Sequence, residues 1–215
     1  MKIAKKILLG VSCMLLLGNT ALAAAPAAET APAPQQIEQS VIGIIPAPEQ
    51  KLLVTAGKIT AVDGNKITIK GEGNYPEVAV LVNDATYILD GKNGKEKPLQ
   101  KLKPGKEVTV YYSPLMTRSN PPQTHAYAVV LGKNTPKLGK FFQVAQVLPG
   151  EDKDSVRVLN SNHDVVATIS KDVYEDYREL GEGDSLMLWY DIMTMSMPGQ
   201  TNAQKVVVLP AAETK

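Results

Sequence analysis

MTRSNPPQTHA (residues 116–126) and MTMSMPGQTNA (residues 193–203) align without a gap and agree at seven of eleven positions, giving M-T-x-S-x-P-x-Q-T-x-A. Agreement at that level marks an internal duplication, which decides the architecture before any single element is assigned. Upstream the repeat continues. Leu102-Lys103-Pro104-Gly105-Lys106-Glu107-Val108 returns as Leu180-Gly181-Glu182-Gly183-Asp184-Ser185-Leu186, and Tyr111-Tyr112 returns as Trp189-Tyr190. Downstream each copy ends in an apolar run, Val129-Val130-Leu131 or Val206-Val207-Val208-Leu209.

The texture within a copy is that of short strands. β-Branched runs at 58–62, 66–70, 78–82, 107–112 and 127–131 are bounded by Gly, Asn, Asp and Pro. Asp63-Gly64 signals a tight hairpin turn, and Ile67-Thr68-Ile69 alternates as a half-buried strand does. Five strands with an L-x-x-G turn before the fourth predict an all-β protein of two tandem OB-like barrels, over residues 51–134 and 135–212, with a β-sandwich as the alternative. Residues 97–102 and 177–180 then form the short helical or irregular link between strands three and four.

Ahead of the repeat, residues 1–23 read as a secretory signal. Lys2, Lys5 and Lys6 precede an 11-residue apolar stretch, and Ala21-Leu22-Ala23 is a small-x-small cleavage signature. That stretch is shorter than the roughly 20 residues a membrane-spanning helix needs, so the mature form is expected to carry no transmembrane segment. Residues 24–50 are rich in Ala and in Pro (Pro26, Pro32, Pro34, Pro46, Pro48), a composition for extended, solvated spacer. The expected location is the periplasm or the cell surface.

Loss of the signal leaves 20 basic and 22 acidic residues, a near-neutral balance that argues against nucleic acid, whose binding needs a basic face. Cys13 is the only cysteine and would leave with the signal. Disulfides, thiolate metal sites and thiol nucleophiles are thereby excluded from the mature chain. A lipoprotein reading of Cys13 lacks the Leu expected three positions earlier.

The shared loop is the first candidate site. It carries hydroxyls and amides at Thr117, Ser119, Gln123 and Thr124, with Arg118 between them, and at Thr194, Ser196, Gln200 and Thr201. Such side chains either satisfy the loop's own backbone or form a polar ligand site used twice. The second candidate is Met193, Met195 and Met197, which an extended segment would place on one face, where soft thioethers suit Cu(I). Those methionines, with Trp189 as a cap, resemble the small periplasmic OB-fold copper chaperones, which carry a Trp followed closely by Met-Thr-Met. Two departures weaken the likeness: in that family the motif precedes the L-x-x-G turn, and here no His sits near Trp189. Arg118 and Asn120 replace two of the methionines in the first copy.

Other chemistry is sparse. His125 and His163 occupy unrelated places in the repeat, with no second ligand at useful spacing. Glu151, Asp152 and Asp154 do not match an ordered calcium loop, and Gly71-Glu72-Gly73 lacks the residues of a phosphate loop. Tyr111-Tyr112 and Trp189-Tyr190 put one ring of each pair inward and one outward, the outward ring serving interdomain packing or ligand stacking. The stretch YYSPLMTRSNPPQ (residues 111–123) resembles secreted bacterial proteins of uncharacterised function that carry such OB-like modules, with Y-Y-S-P-x-M-T-R-S-x-P-P-Q matched here. The resemblance implies an accessory role in the envelope rather than a reaction. The expectation is a non-enzymatic, cofactor-free binding module for an envelope protein, peptide or glycan. The alternative is periplasmic Cu(I) binding through the methionines.

Overall fold

A computed structural model describes residues 51–211, all within one compact unit. The signal-like segment 1–23, the spacer 24–50 and residue 212 lie outside the described residues. The first copy contains β1 (Leu53–Asp63), β2 (Lys66–Gly73), β3 (Glu77–Leu81), β4 (Tyr87–Asp90), β5 (Glu107–Tyr112) and β6 (Gln123–Leu131). β1 and β2 are joined by the expected hairpin, with Asp63 opposite Lys66 and Gly64 at φ 59°. The pairings β1–β2, β2–β3, β3–β6, β6–β5 and β5–β1 close a ring, antiparallel throughout except for parallel β3–β6. This is the expected five-stranded barrel; a sandwich would leave its sheet edges unjoined.

The second copy contains β7 (Lys140–Pro149), β8 (Ser155–Asn160), β9 (Val165–Ser170), β10 (Ser185–Trp189), β11 (Gly199–Asn202) and β12 (Lys205–Val208). β7, β8 and β9 form a meander, and β10 pairs with β7. β11 runs parallel to β9 and β12 antiparallel to β10. Together they occupy the place of β6, but the strand is broken between them, so this copy is a curled sheet rather than a fully hydrogen-bonded ring. At the break successive amides turn to different neighbours: Ala203 N–H donates to the Thr168 carbonyl and Gln204 N–H to that of Trp189. Single 3-10 turns at Leu99–Lys101 and Tyr177–Glu179 are the expected links before the fourth strand of each copy. Among the described residues no helix is long and apolar enough to cross a membrane.

Strand alternation sorts side chains into three clusters. Ile59, Ile67, Ile69, Val108, Val110 and Tyr112 help to fill the first barrel. Phe142, Val158, Ile169, Leu186 and Leu188 belong to the core of the second copy. Residues one position out of phase, Tyr111, Phe141, Met187 and Trp189, meet in a third cluster between the copies. The outward rings of both copies are therefore used for packing against each other.

β4 is the element with no counterpart in the second copy. It pairs in parallel with β6 and delivers Tyr87 and Leu89 to that third cluster. Trp189 Nε1–H donates to the Gly91 carbonyl (3.1 Å), and the Tyr87 hydroxyl donates to the Pro210 carbonyl (2.7 Å). Asn162 clamps Leu52 from both sides, accepting from its N–H (2.6 Å) and donating to its carbonyl (2.9 Å). The seam between copies is thus apolar at its centre and hydrogen-bonded at its margin.

Candidate functional site: two equivalent loops and the clefts beside them

Each shared motif forms the connection into the last strand of its copy, and both are built on the same hydrogen bonds. In the first copy Gln123 N–H donates to Thr117 Oγ1 (3.0 Å), which lies 2.7 Å from Ser119 Oγ, and Ser119 donates to the Pro121 carbonyl (2.8 Å). In the second copy Gln200 N–H donates to Thr194 Oγ1 (2.8 Å), Thr194 Oγ1 lies 2.7 Å from Ser196 Oγ, and Ser196 donates to the Pro198 carbonyl (2.8 Å). Since each serine proton goes to the proline carbonyl, the threonine hydroxyl must be the donor to the serine oxygen. The result is a one-way chain of donors beneath the loop, in which each bond polarises the next. A backbone bond from Thr117 N–H to the Gln123 carbonyl, repeated from Thr194 to Gln200, ties each chain to the strand (2.9 Å in both). The prolines that close the two loops follow cis peptide bonds, Asn120–Pro121 and Met197–Pro198.

Thr124 anchors the first loop from below. It is buried, with its hydroxyl between the carbonyls of Ser113 (2.9 Å) and Leu115 (2.7 Å); Thr201 donates in the same way to Ile192. The repeated Thr, Ser, Pro and Gln thus hold the loop, and the variable positions between them, 118/195 and 120/197, face outward. Arg118 and Asn120 are exposed in the first copy, Met195 and Met197 in the second. Leu115 and Ile192, just before the motif, are also strongly exposed, at 70% and 82%.

Beside each loop lies a concavity lined by equivalent positions. The first, about 340 Å³, is walled by Leu81, Leu115, Thr117, Gln123, Thr124 and His125. The second, about 500 Å³, is walled at matching places by Thr168, Ile192, Thr194, Gln200, Thr201 and Asn202, and adds Glu151 and Asp191. Gln204 Nε2 donates to Asp191 Oδ2 (2.7 Å) at its rim. Asp191 also favours the charged form of Lys140, although burial, the larger effect, lowers that amine's pKa. The first cleft is the more apolar, the second the more acidic. Neither loop contributes to the seam between the copies.

Sequence reasoning passed over the cleft walls, because Leu81 and Thr168 come from strands far from the motif. The signal that could have found Leu115 and Ile192 is an apolar residue at the same place in two polar loops. The methionines are not laid along a strand. The segment is a bent loop with one isolated bridge at Met193, whose thioether packs against Gly199, while Met195 and Met197 face solvent. Trp189 does not cap that loop: it is buried in the seam, with Lys205 Nζ 4.5 Å from its ring centre. His125 and His163 are exposed, and among the described residues no group of three or more His, Cys, Asp or Glu is placed to hold a metal ion.

Fold and site together define a tandem β-barrel protein that displays two internally braced loops. No protein-family model matches the chain. Over 90 residues it is 36% identical to a protein of Brevibacillus choshinensis described as a protease inhibitor; the match takes in 38% of this chain and 28% of that protein.

Proposed function

We propose that the protein is an exported, non-enzymatic binding module that acts in the periplasm or at the cell surface, and that the two braced loops are its contacts with a peptidase. The observation that carries this reading is the repeated donor chain, Gln to Thr to Ser to Pro carbonyl, under residues whose side chains are exposed and free to vary. A loop held from inside binds with little loss of conformational freedom, which is the advantage of preorganisation. Exposed Leu115, Ile192, Met195 and Met197 supply apolar contact area, and flexible Met side chains adapt to a partner's pocket. The protease-inhibitor description of the Brevibacillus relative supports a peptidase over a glycan. The signal-like first 23 residues support export.

The test is to mix the purified protein with secreted serine, metallo- and thiol peptidases, follow residual activity, and check for complexes by size-exclusion chromatography. Stoichiometric inhibition of at least one class is expected. Absence of both inhibition and complex at micromolar concentrations across all three classes would refute the reading.

A further inference from the structure

Resting on the peptidase-binding reading, we infer that Arg118 and Met195 are the primary anchors of a two-headed inhibitor of serine peptidases. The first loop is matched to a negatively charged specificity pocket and the second to an apolar one. The bonds presented to the peptidase's nucleophile are Arg118–Ser119 and Met195–Ser196.

Four observations converge on these positions. Arg118 and Met195 are equivalent in the repeat and are both exposed. Each is bracketed by the only hydroxyl pair in its loop that bridges two residues, Thr117 with Ser119 and Thr194 with Ser196, at 2.7 Å. The side chain between the bracketing hydroxyls has to point away from them, into solvent. Of the other exposed variable residues, Asn120 and Met197 are each followed by proline, which leaves a tertiary amide that serine peptidases cut poorly, and His125 and Asn202 lie in the final strands, paired with Leu81 and Thr168. Finally, the two anchors differ in the property that divides serine peptidases: trypsin has a carboxylate in its primary pocket and chymotrypsin an apolar slot.

The brace also accounts for inhibition in place of digestion. The peptidase's serine oxygen attacks the carbonyl carbon of Arg118; an ester forms, the Arg118–Ser119 C–N bond breaks, and the serine's proton passes through the catalytic histidine to the Ser119 amine. Ser119 stays held through its side chain, by Thr117 and by the Pro121 carbonyl. The new amine therefore remains beside the ester at a very high effective concentration, of the kind that reaches about 10⁵ M or more in well-oriented systems. Attack by that amine on the ester re-forms the peptide bond and frees the enzyme serine, with no net consumption of water. The same steps apply at Met195–Ser196.

The experiment uses the whole purified protein against trypsin and chymotrypsin, singly and together. Wild type should inhibit both and bind both at once. Arg118→Ala should weaken trypsin inhibition roughly 100-fold or more while leaving chymotrypsin inhibition within about threefold, and Met195→Ala should do the reverse. The retained arm of each variant reports that it is folded. Prolonged incubation with trypsin should yield a nick after Arg118, and with chymotrypsin a nick after Met195, both read by intact-mass spectrometry. If wild type inhibits but neither variant changes its inhibition constant by more than about threefold, or the nicks fall elsewhere, the anchor assignment is wrong while peptidase binding stands. If wild type neither inhibits nor binds any serine peptidase, the anchors fall too.

Discussion

The indole nitrogen of Trp189 donates to the carbonyl of Gly91 at 3.1 Å, joining a strand of the second copy to the turn after β4 of the first. The same carbonyl accepts from Gly139 N–H at 2.8 Å. Replacement of Trp189 by Phe therefore removes one hydrogen bond without stranding its acceptor. The expected cost is about 1 kcal/mol for the bond plus the lost ring volume. Trp189→Ala opens the seam and should cost about 3–5 kcal/mol. Equilibrium urea unfolding measures both, and equal midpoints for the two variants would contradict the packing described.

Gly94 touches the same ring. Its φ is +74°, and a Cβ there would lie 3.0 Å from Trp189 Cη2 and 3.4 Å from the Val207 side chain. Gly105, at φ +82°, has open space around its Cβ position. Both alanine variants carry the left-handed backbone cost of about 1 kcal/mol, and only Gly94→Ala adds a steric one. The difference in unfolding free energy between the two variants isolates the seam contact and should be positive for Gly94→Ala.

Thr109, on β5, is buried, and its Oγ1 has no hydrogen-bond partner. Valine has the same shape without the polar atom. Thr109→Val should raise stability by about 1 kcal/mol, because burying an unpaired hydroxyl costs roughly that or more. A fall in Tm would show that the hydroxyl has a role.

Thr117→Val and Thr194→Val interrupt the donor chains at their middle while keeping side-chain volume. The loops are exposed, so global stability should fall by only about 1 kcal/mol per site. Cleavage of the affected loop by an unrelated protease such as thermolysin should speed up by an order of magnitude or so, since the brace no longer limits opening. Mass spectrometry locates the cut; cleavage rates equal to wild type would rule out a bracing role.

Alkaline pH should unfold the protein earlier than its acidic groups would suggest. Burial raises the phenol pKa of Tyr111, Tyr112 and Tyr190 above the ordinary value. In the unfolded chain these phenols ionise near pH 10, while the folded chain keeps their protons. Their stabilising contribution is complete below about pH 10 and is lost as pH rises beyond it. Lys140, whose pKa burial lowers, acts in the opposite sense. Its penalty is relieved as pH rises through the range between its folded value and the ordinary value of lysine. Tyr111→Phe should flatten the fall in Tm between pH 9 and pH 11, a comparison made by calorimetry at a series of pH values.

The duplication, the all-β class, the hairpin at Gly64 and the short links at Leu99–Lys101 and Tyr177–Glu179 were legible because each depends on local rules: turn residues, period-two alternation and self-similarity at a fixed distance. The shared loop was legible for the same reason, as letters repeated in order. What the repeated Thr and Ser do was not, since a hydroxyl in a loop has many acceptors within reach, and only the fold selects the Pro121 and Pro198 carbonyls. β4 escaped sequence reasoning because its short apolar run, Tyr87–Asp90, is flanked by turn-forming residues and has no partner in the repeat to confirm it. Its reason for existing is long-range: it completes a hydrophobic seam with Phe141, Met187 and Trp189.

The broken strand β11–β12 is likewise a tertiary outcome, since Ala203 and Gln204 find their carbonyl acceptors on different neighbouring strands. By itself the sequence determined that this is a twice-repeated small barrel with one conserved-in-copy loop, because periodicity and turn chemistry act between near neighbours. Only the tertiary structure decided that the outward rings face each other, that Trp189 serves the seam, and that Arg118 and Met195 stand at the braced crests of their loops. Those facts depend on burial and on hydrogen bonds between residues up to 123 positions apart, which no local pattern encodes.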